Sequence, residues 1–266
     1  MKLFCRKYGS GPPLIILHGL YGSSDNWITI ARNLSGKFTV YLPDQRNHGM
    51  SPHSDHHDYD SMRDDLFELA EDLGLGKFFL AGHSMGGKTA MNFAIRWPEK
   101  LYGLLIADIS PLRSESSERA VSKEHLAILH TILSFDLSRF SSRSEIETAL
   151  ASDIKDDETR GLIMKNIRRE SDNAFVWKLN AEVLLRNFDR ILKGIVLPDN
   201  IPGEIITGFP VYFLKGELSG YFPDGDFREL LKIFPAAEFI VVPGAGHWLH
   251  TDNPEMVTKC FLKFLE

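Results

Sequence analysis

Residues 82–89, GHSMGGKT, contain the residue types for two different chemistries. Read as Gly-x-x-x-x-Gly-Lys-Thr, the segment is a phosphate-binding loop in which Lys88 and Thr89 contact a nucleotide and its magnesium ion. Read as Gly-x-Ser-x-Gly, it is a nucleophile elbow, a sharp strand-to-helix turn that presents Ser84 to a carbonyl carbon. The same residues cannot serve both purposes, so other parts of the chain must decide between an NTPase and a hydrolase.

The end of the chain supplies the histidine that a serine hydrolase needs. In hydrolases with this elbow, the base follows both the serine and the acid along the chain. His247 lies in a glycine-rich loop, VVPGAGHWLH, after the last predicted strand, and His250 follows three residues later. We predict that His247 is the base that accepts the proton of Ser84, with His250 as the alternative.

Two backbone N–H groups are predicted to stabilise the negative charge that develops on the carbonyl oxygen. Met85 follows the serine directly at the start of the next helix, so its N–H is one expected donor. Leu20 follows the strand-ending pair His18-Gly19 in the segment LHGLYGSSDNW, where the second donor is expected. These two turns therefore predict an oxyanion hole formed by the amides of Leu20 and Met85.

The predicted elements alternate in a way that would bring these residues together. Short apolar runs that are rich in β-branched and aromatic residues, and that end at Gly or Pro, are predicted as strands. They are PPLIILHG, KFTVYLPD, KFFLAGHS, LYGLLIADISP, PVYFLKG and AEFIVVPG. Helical patterns are DSMRDDLFELAEDLGL, MGGKTAMNFAIRWPEK and PEMVTKCFLKFLE. This alternation predicts an α/β fold with a mostly parallel central sheet flanked by helices.

The region between residues 112 and 197 departs from this alternation because it contains no convincing strand. Its patterns favour amphipathic helices instead: SKEHLAILHTIL, SRSEIETALAS, DETRGLIMKNIRR and VWKLNAEVLLRNFDRILKGI. A helical block inserted between two strands is expected to cover the C-terminal edge of the sheet, where such sheets bind ligands. We therefore predict a core formed by residues 1–111 and 201–266, and an inserted helical cap formed by residues 112–200.

Four segments in this order resemble the α/β-hydrolase superfamily over essentially the whole chain: LHGLYGSSDNW, PDQRNHGMS, GHSMGG and GAGHW. PDQRNHGMSP, GHSMGGKTAM and IADISP are most similar to its YbfF-type acyl esterase branch. The resemblance assigns Lys88 to the helix after the elbow and disfavours the NTPase. It implies a serine hydrolase that cleaves short to medium acyl esters or thioesters, including acyl-CoA, through an acyl-enzyme. Hydrolysis of amides, lactones or C–C bonds, and a receptor with little turnover, remain the alternatives.

The acid of the predicted triad is the least determined residue. Most members of the superfamily carry an aspartate in the loop after PVYFLKG, but this sequence has Ser219 at the aligned position and Glu217 two residues earlier. Asp108 instead ends an apolar strand on the same sheet edge as Ser84, where a carboxylate needs a partner such as His247. The resemblance to the esterase branch also implies Asp108. We predict Asp108 as the acid, with Glu217 or another carboxylate as the alternative.

Other residues are predicted to line or support the site. His18, Gly19, Trp177 and Trp248 are expected to contact substrate, and packing between cap and core is the alternative for Trp177. Residues 53–60, HSDHHDYD, match no metal-ligand spacing, so we predict a solvated loop there. The DQRNHG segment is expected to brace its own loop through three polar residues: Asp44, Arg46 and His48.

Composition limits the classes of function. The chain has 266 residues and a net charge of −6, which disfavours a nucleic-acid binder because that function needs a basic surface. Two cysteines form no disulfide framework and fit a cytoplasmic protein. No apolar run reaches about 18 residues, so no membrane span is expected. The predicted chemistry needs a small-molecule acyl ester or thioester and no cofactor or metal, and the sequence does not predict the oligomeric state.

Overall fold

The computed structural model describes residues 1–110, 115–170, 174–193 and 206–266. The strands of these residues are β1 Cys5–Tyr8, β2 Pro13–Leu17, β3 Thr39–Pro43, β4 Phe78–His83, β5 Leu101–Ala107, β6 Ile167–Arg169, β7 Phe175–Trp177, β8 Val211–Gly216 and β9 Ala237–Val242. Seven of them form one sheet in the order β1-β3-β2-β4-β5-β8-β9. Every neighbouring pair in this sheet is parallel except β1 with β3. The predicted α/β fold with a mostly parallel sheet is therefore confirmed.

Helices cover both faces of the sheet. They are α1 Ile28–Leu34, α2 Tyr59–Asp72, α3 Met85–Arg96, α4 Glu115–Ser134, α5 Arg143–Leu150, α6 Asp157–Met164, α7 Ala181–Arg186, α8 Phe188–Leu192, α9 Phe227–Ile233, α10 Leu249–Asp252 and α11 Pro254–Leu262. Strand β2 shows how the two faces divide, since successive side chains of a strand point to opposite sides. Leu14 and Ile16 pack with α1 and α11, whereas Ile15 and Leu17 pack with α2, α3 and α9.

Strand β1 was not predicted from the sequence. Its residues, CRKY, are mostly charged or polar and form no apolar run, because β1 is an edge strand that pairs only with β3. Its antiparallel pairing with β3 runs from Cys5 opposite Pro43 to Tyr8 opposite Val40. An edge strand of this kind needs neither face fully apolar, so hydrophobic periodicity does not reveal it.

The region predicted as a helical cap differs from the prediction of helices alone. Strands β6 and β7 form an antiparallel hairpin in which Ile167 lies opposite Trp177. Helix α6 ends at Met164, so the pattern DETRGLIMKNIRR continues from a helix into a strand. Three-residue strands are too short to show an alternating pattern, which is why the sequence did not separate them from the neighbouring helices.

The predicted cap and the predicted core share one apolar cluster. It contains cap residues such as Ile128 of α4 and Leu184 of α7, together with Leu20, Tyr21 and Met85 of the core. The apolar surface of the cap is therefore buried over the region that follows β2 and β4. The predicted cap boundaries at residues 112 and 200 lie outside the described residues. Among the helices that are described, none combines the length and the apolar character needed to cross a bilayer.

Candidate active site

Ser84 lies at a sharp turn between β4 and α3. Its backbone has φ 52° and ψ −119°, a conformation that non-glycine residues seldom adopt. The flanking glycines leave room for this turn: a methyl group on Gly82 would lie 2.1 Å from the oxygen of Gly86, and one on Gly86 would lie 2.5 Å from the oxygen of His18. The chain therefore has the strand–turn–helix geometry of a nucleophile elbow, with a half-buried serine at its tip.

Lys88 does not face the turn. Its ammonium group donates to the carbonyl oxygens of Leu192 at 3.0 Å and Lys193 at 2.8 Å, at the C-terminal end of α8 in the cap. A cation at that end also complements the negative pole of the helix dipole. These contacts explain Lys88 as a link between core and cap, and they leave the phosphate-binding interpretation of the segment without structural support.

Asp108 and His247 are joined although 139 residues separate them in the chain. The Nδ1–H group of His247 donates to Oδ2 of Asp108 at 2.8 Å. Asp108 directly follows β5 and is fully buried. Its carboxylate also accepts hydrogen bonds from the Gly216 N–H at 2.9 Å and from the hydroxyl of Ser219. This buried carboxylate therefore has the hydrogen-bond donors that it needs, and one of them is the imidazole.

Neither alternative residue occupies this position. The Oε2 atom of Glu217 accepts from the Gly244 N–H at 2.7 Å, on an exposed turn. His250 is buried and stacks on the indole of Trp27 with ring centroids 4.4 Å apart. Burial lowers the pKa of His250 to about 3. The geometry thus favours Asp108 over Glu217 as the acid and His247 over His250 as the base.

Tyr221 was missed in the sequence. Its ring stacks on the imidazole of His247, with centroids 3.7 Å apart and an interplanar angle of 17°. Its hydroxyl lies 3.4 Å from Nε2 of His125, which belongs to cap helix α4. Burial, the largest cause, raises the pKa of Tyr221, so its hydroxyl is neutral. Ser219 aligns with the usual position of the acid. That alignment was the sequence signal that other side chains of the same loop, such as Tyr221, lie near the histidine.

The two predicted oxyanion donors lie on segments that meet at Ser84. Met85 is the first residue of α3, so its N–H has no acceptor within the helix. Leu20 lies on the loop after β2, next to Gly19 and before Tyr21, whose φ is 63°. A methyl group on Gly19 would lie only 3.2 Å from Cβ of Ser84. The absence of a side chain at Gly19 therefore allows this loop to lie directly against the serine.

His18 was predicted to contact substrate, but both of its ring nitrogens form hydrogen bonds with backbone groups of the protein. Its Nδ1–H donates to the Gly19 carbonyl at 2.8 Å and its Nε2 accepts from the Gln45 N–H at 2.9 Å. Burial lowers its pKa, in agreement with this neutral tautomer. The geometry favours a role for His18 in holding the oxyanion loop over direct contact with substrate.

The polar residues of the DQRNHG segment form the expected braces. Asp44 accepts from the N–H groups of Ser24 at 2.6 Å and Met50 at 2.7 Å. Arg46 makes a bidentate, buried ion pair with Asp65 at 2.6 and 2.8 Å. These bonds join the loop after β3 to the segment before α1 and to helix α2.

The prediction of a solvated loop at residues 53–60 is wrong for His57. This side chain is fully buried, with its Nε2 3.4 Å from the sulfur of Met85 and its Nδ1 3.3 Å from the amide nitrogen of Asn47. Burial lowers its pKa to about 3. His53, in contrast, is exposed, as predicted. The polar composition of this segment hid two inward-facing residues: His57, which contacts the side chain of the predicted oxyanion donor Met85, and Tyr59, which is buried at the start of α2.

The two tryptophans have different surroundings. The ring of Trp248 lies 5.2 Å from the rings of both His83 and His247, so it borders the candidate base. Trp177 lines a cavity of about 150 Å³ between the loop after β3 and the β6–β7 hairpin. The other residues that line this cavity are Gly49, Met50, Ser51, His53, Arg168 and Lys178. None of the candidate catalytic residues borders this cavity, and contact of Trp177 with substrate stays a prediction.

Comparison with known proteins identifies the family of the chain. The profile of the family described as "alpha/beta hydrolase fold" matches residues 12–254. The chain is 33% identical to the sn-1-specific diacylglycerol lipase ABHD11 of Danio rerio over 97% of this chain and 80% of that protein. It is 27% identical to esterase YbfF of Escherichia coli over 95% of this chain and 92% of that protein.

A solved structure extends the comparison. The structure titled "Marine microorganism esterase" shares 45% identity and superposes with a TM-score of 0.92 over 99% of both chains. Nearly the whole chain is covered, including the region predicted as the cap. The chain therefore belongs to the α/β-hydrolase family, and it is a hydrolase of the esterase and lipase type.

Proposed function

We propose that the chain is a serine esterase whose catalytic triad consists of Ser84, His247 and Asp108. His247 accepts the proton of Ser84 as the serine oxygen attacks the acyl carbon, and the N–H groups of Leu20 and Met85 stabilise the oxyanion. Collapse of the tetrahedral intermediate expels the alcohol or thiol, which takes the proton from His247. A water molecule activated by His247 then hydrolyses the acyl-enzyme.

The observation that carries this proposal is the hydrogen bond between His247 and Asp108. It commits Nδ1 of His247 to the carboxylate, which leaves Nε2 as the nitrogen that can accept a proton. The same bond stabilises the imidazolium that forms during attack. The strained backbone of Ser84, at the start of α3, is the second support, since a nucleophile elbow has this geometry.

We propose short to medium acyl esters or thioesters, including acyl-CoA, as substrates. Leu20 and Met85 contribute side chains to the same apolar cluster as the cap helices, so an acyl chain bound beside the oxyanion donors would meet apolar cap residues. The names of the relatives, a diacylglycerol lipase and esterases, support ester cleavage. The division into a core of residues 1–111 and 201–266 and a cap of residues 112–200 is part of this proposal.

A substrate profile tests the proposal. The purified protein is assayed with p-nitrophenyl esters from acetate to palmitate and with acyl-CoA thioesters of matching chain lengths, with Ser84→Ala as the control. We expect activity toward the shorter chains that is lost in Ser84→Ala, and the chain-length optimum then measures the acyl pocket. Equal activity in both proteins would remove Ser84 from the mechanism, and no activity in folded wild-type protein would favour a receptor.

A further inference from the structure

His83 is a buried histidine to which the mechanism above gives no role. It precedes Ser84 in the chain, and its Nε2 lies 2.8 Å from the backbone carbonyl oxygen of His247. Its other ring nitrogen faces the oxyanion loop, since a methyl group on Gly19 would lie 2.9 Å from Nδ1 of His83. One side chain therefore contacts the segments of the nucleophile, the base and the oxyanion donor.

The partners of His83 determine its tautomer. A carbonyl oxygen can only accept a hydrogen bond, so Nε2 of His83 carries the proton and donates to His247. The side chain is fully buried, and burial holds its pKa well below the ordinary value, with His247 and His250 as further causes. His83 is thus neutral, with its N–H group directed to one backbone oxygen.

The neutral state also matters for the neighbouring ring. The ring centroids of His83 and His247 are 4.6 Å apart. A positive charge on His83 at this distance would oppose the imidazolium that His247 must form during catalysis. A buried neutral histidine avoids that repulsion and still supplies a hydrogen-bond donor.

We propose that His83 is a positioning residue that holds the His247 loop in register with Ser84 and the oxyanion loop. The inference rests on the proposed function, because it assumes that Ser84 and His247 react together. The loop after β9 contains Gly244 and Gly246, and the hydrogen bond from His83 to the His247 carbonyl oxygen joins this loop to the turn at Ser84. Loss of the bond would let His247 shift relative to Ser84, and a displacement of about 1 Å costs about 100-fold in rate.

A matched pair of substitutions isolates the bond. His83→Gln retains an N–H donor at nearly the same distance from Cα, whereas His83→Met has similar length and no donor. Both replace the ring, so both should lower the thermal midpoint by similar amounts. We expect kcat to fall by about 10- to 100-fold in His83→Met, with KM nearly unchanged, and to be largely restored in His83→Gln.

The rate at which a fluorophosphonate probe labels Ser84 is the second measurement. It should fall in His83→Met and recover in His83→Gln in parallel with kcat, since it depends on the same alignment of serine and base. Equal kcat and equal labelling rates in the two variants would overturn the positioning role. Absence of labelling in the wild-type protein would instead contradict the proposed function itself, so the two failures are distinguishable.

Gly19→Ala provides a variant that leaves His83 in place if the substitutions of the histidine prevent folding. The added methyl group would press on Nδ1 of His83 from the side opposite the bond to His247. We expect kcat to fall, and part of the loss would come from the contact of the same methyl group with Cβ of Ser84 at 3.2 Å. Wild-type kcat in Gly19→Ala would contradict the contact as a determinant of alignment.

Discussion

His247, in the loop after β9, and His250, in helix α10, differ in almost every physical respect. His247 and His250 both follow β9, three residues apart. His247 retains 13% of its side-chain exposure and donates to the carboxylate of Asp108, whereas His250 is buried against Trp27 and its Nδ1 has no hydrogen-bond partner among the described residues. A carboxylate partner and partial access to solvent, rather than position in the chain, distinguish a candidate base from a packed aromatic ring.

The other buried histidines resemble His250. Burial lowers the pKa of His57 to about 3 and that of His125 to about 4. Among the histidines whose surroundings the structure describes, His247 has a carboxylate oxygen within 4 Å, and no second ion pair of this kind is found. Most of the buried histidines are thus neutral hydrogen-bonding or packing groups, whereas His247 has the carboxylate of Asp108 as its partner.

Removal of each histidine in turn should give the largest contrast. We expect His247→Ala to lower kcat by about 10⁵- to 10⁶-fold, because it removes the proposed base that takes the proton of Ser84. His250→Ala should retain most of its kcat and lose stability, since it empties the space beside Trp27. Steady-state kinetics and urea unfolding of both variants measure the contrast, and a loss of kcat in His250→Ala equal to that of His247→Ala would erase it.

Replacement of the Asp108 carboxylate should remove the hydrogen-bond acceptor that distinguishes His247 from His250. In Asp108→Asn the amide group would turn a donor toward Nδ1 and favour the wrong tautomer of His247. We expect kcat to fall by about 10⁴-fold, as in a serine protease with the equivalent change. The labelling rate with a fluorophosphonate probe should fall with it, and near-normal kcat would transfer the role to another carboxylate.

The core of the molecule was predictable because its constraints are local. Most of the parallel strands are apolar runs with a glycine or proline at or near their ends, and the elbow requires glycines at fixed positions around Ser84. The acid was harder to predict, because Ser219 occupies the usual position of that residue. The hydroxyl of Ser219 instead donates to the carboxylate of Asp108. Only the three-dimensional structure reveals this contact between the usual acid position and the candidate acid.

The cap was less predictable because its constraints are not local. The hairpin of β6 and β7 is too short to carry a periodic pattern, and its residues read as parts of helices. His57 and Tyr221 face inward from polar loops, so composition gave the wrong environment for one and no role for the other. Their positions depend on partners far along the chain, such as Met85 for His57 and His247 for Tyr221.

The pH dependence of stability should report the burial of His250. The pKa of His250 is about 3 in the folded protein and about 6.5 in the unfolded chain. Between these values the unfolded chain binds a proton that the folded protein does not, so the free energy of unfolding is complete above pH 6.5 and falls as the pH decreases toward 3. The limiting slope for one histidine is about 1.4 kcal/mol per pH unit.

His250→Phe isolates this contribution. Phenylalanine retains an aromatic ring against Trp27 and cannot be protonated, so the free energy of unfolding should fall less steeply below pH 6.5 than in the wild type. Urea unfolding at several pH values between 7.5 and 4.5 measures both slopes. Parallel curves for the two proteins would mean that His250 is protonated in the folded state.

The smallest effect should come from Glu217→Gln. Glu217 lies two residues from Ser219, yet its carboxylate accepts a hydrogen bond from the Gly244 N–H on an exposed turn. The new amide keeps an acceptor oxygen for that bond, and exposed substitutions of this kind change free energies by about 0.5 kcal/mol or less, about a twofold change in rate. Steady-state kinetics should therefore give a kcat close to that of the wild type. A loss as large as that of Asp108→Asn would mean that the turn rearranges during catalysis to bring Glu217 to His247.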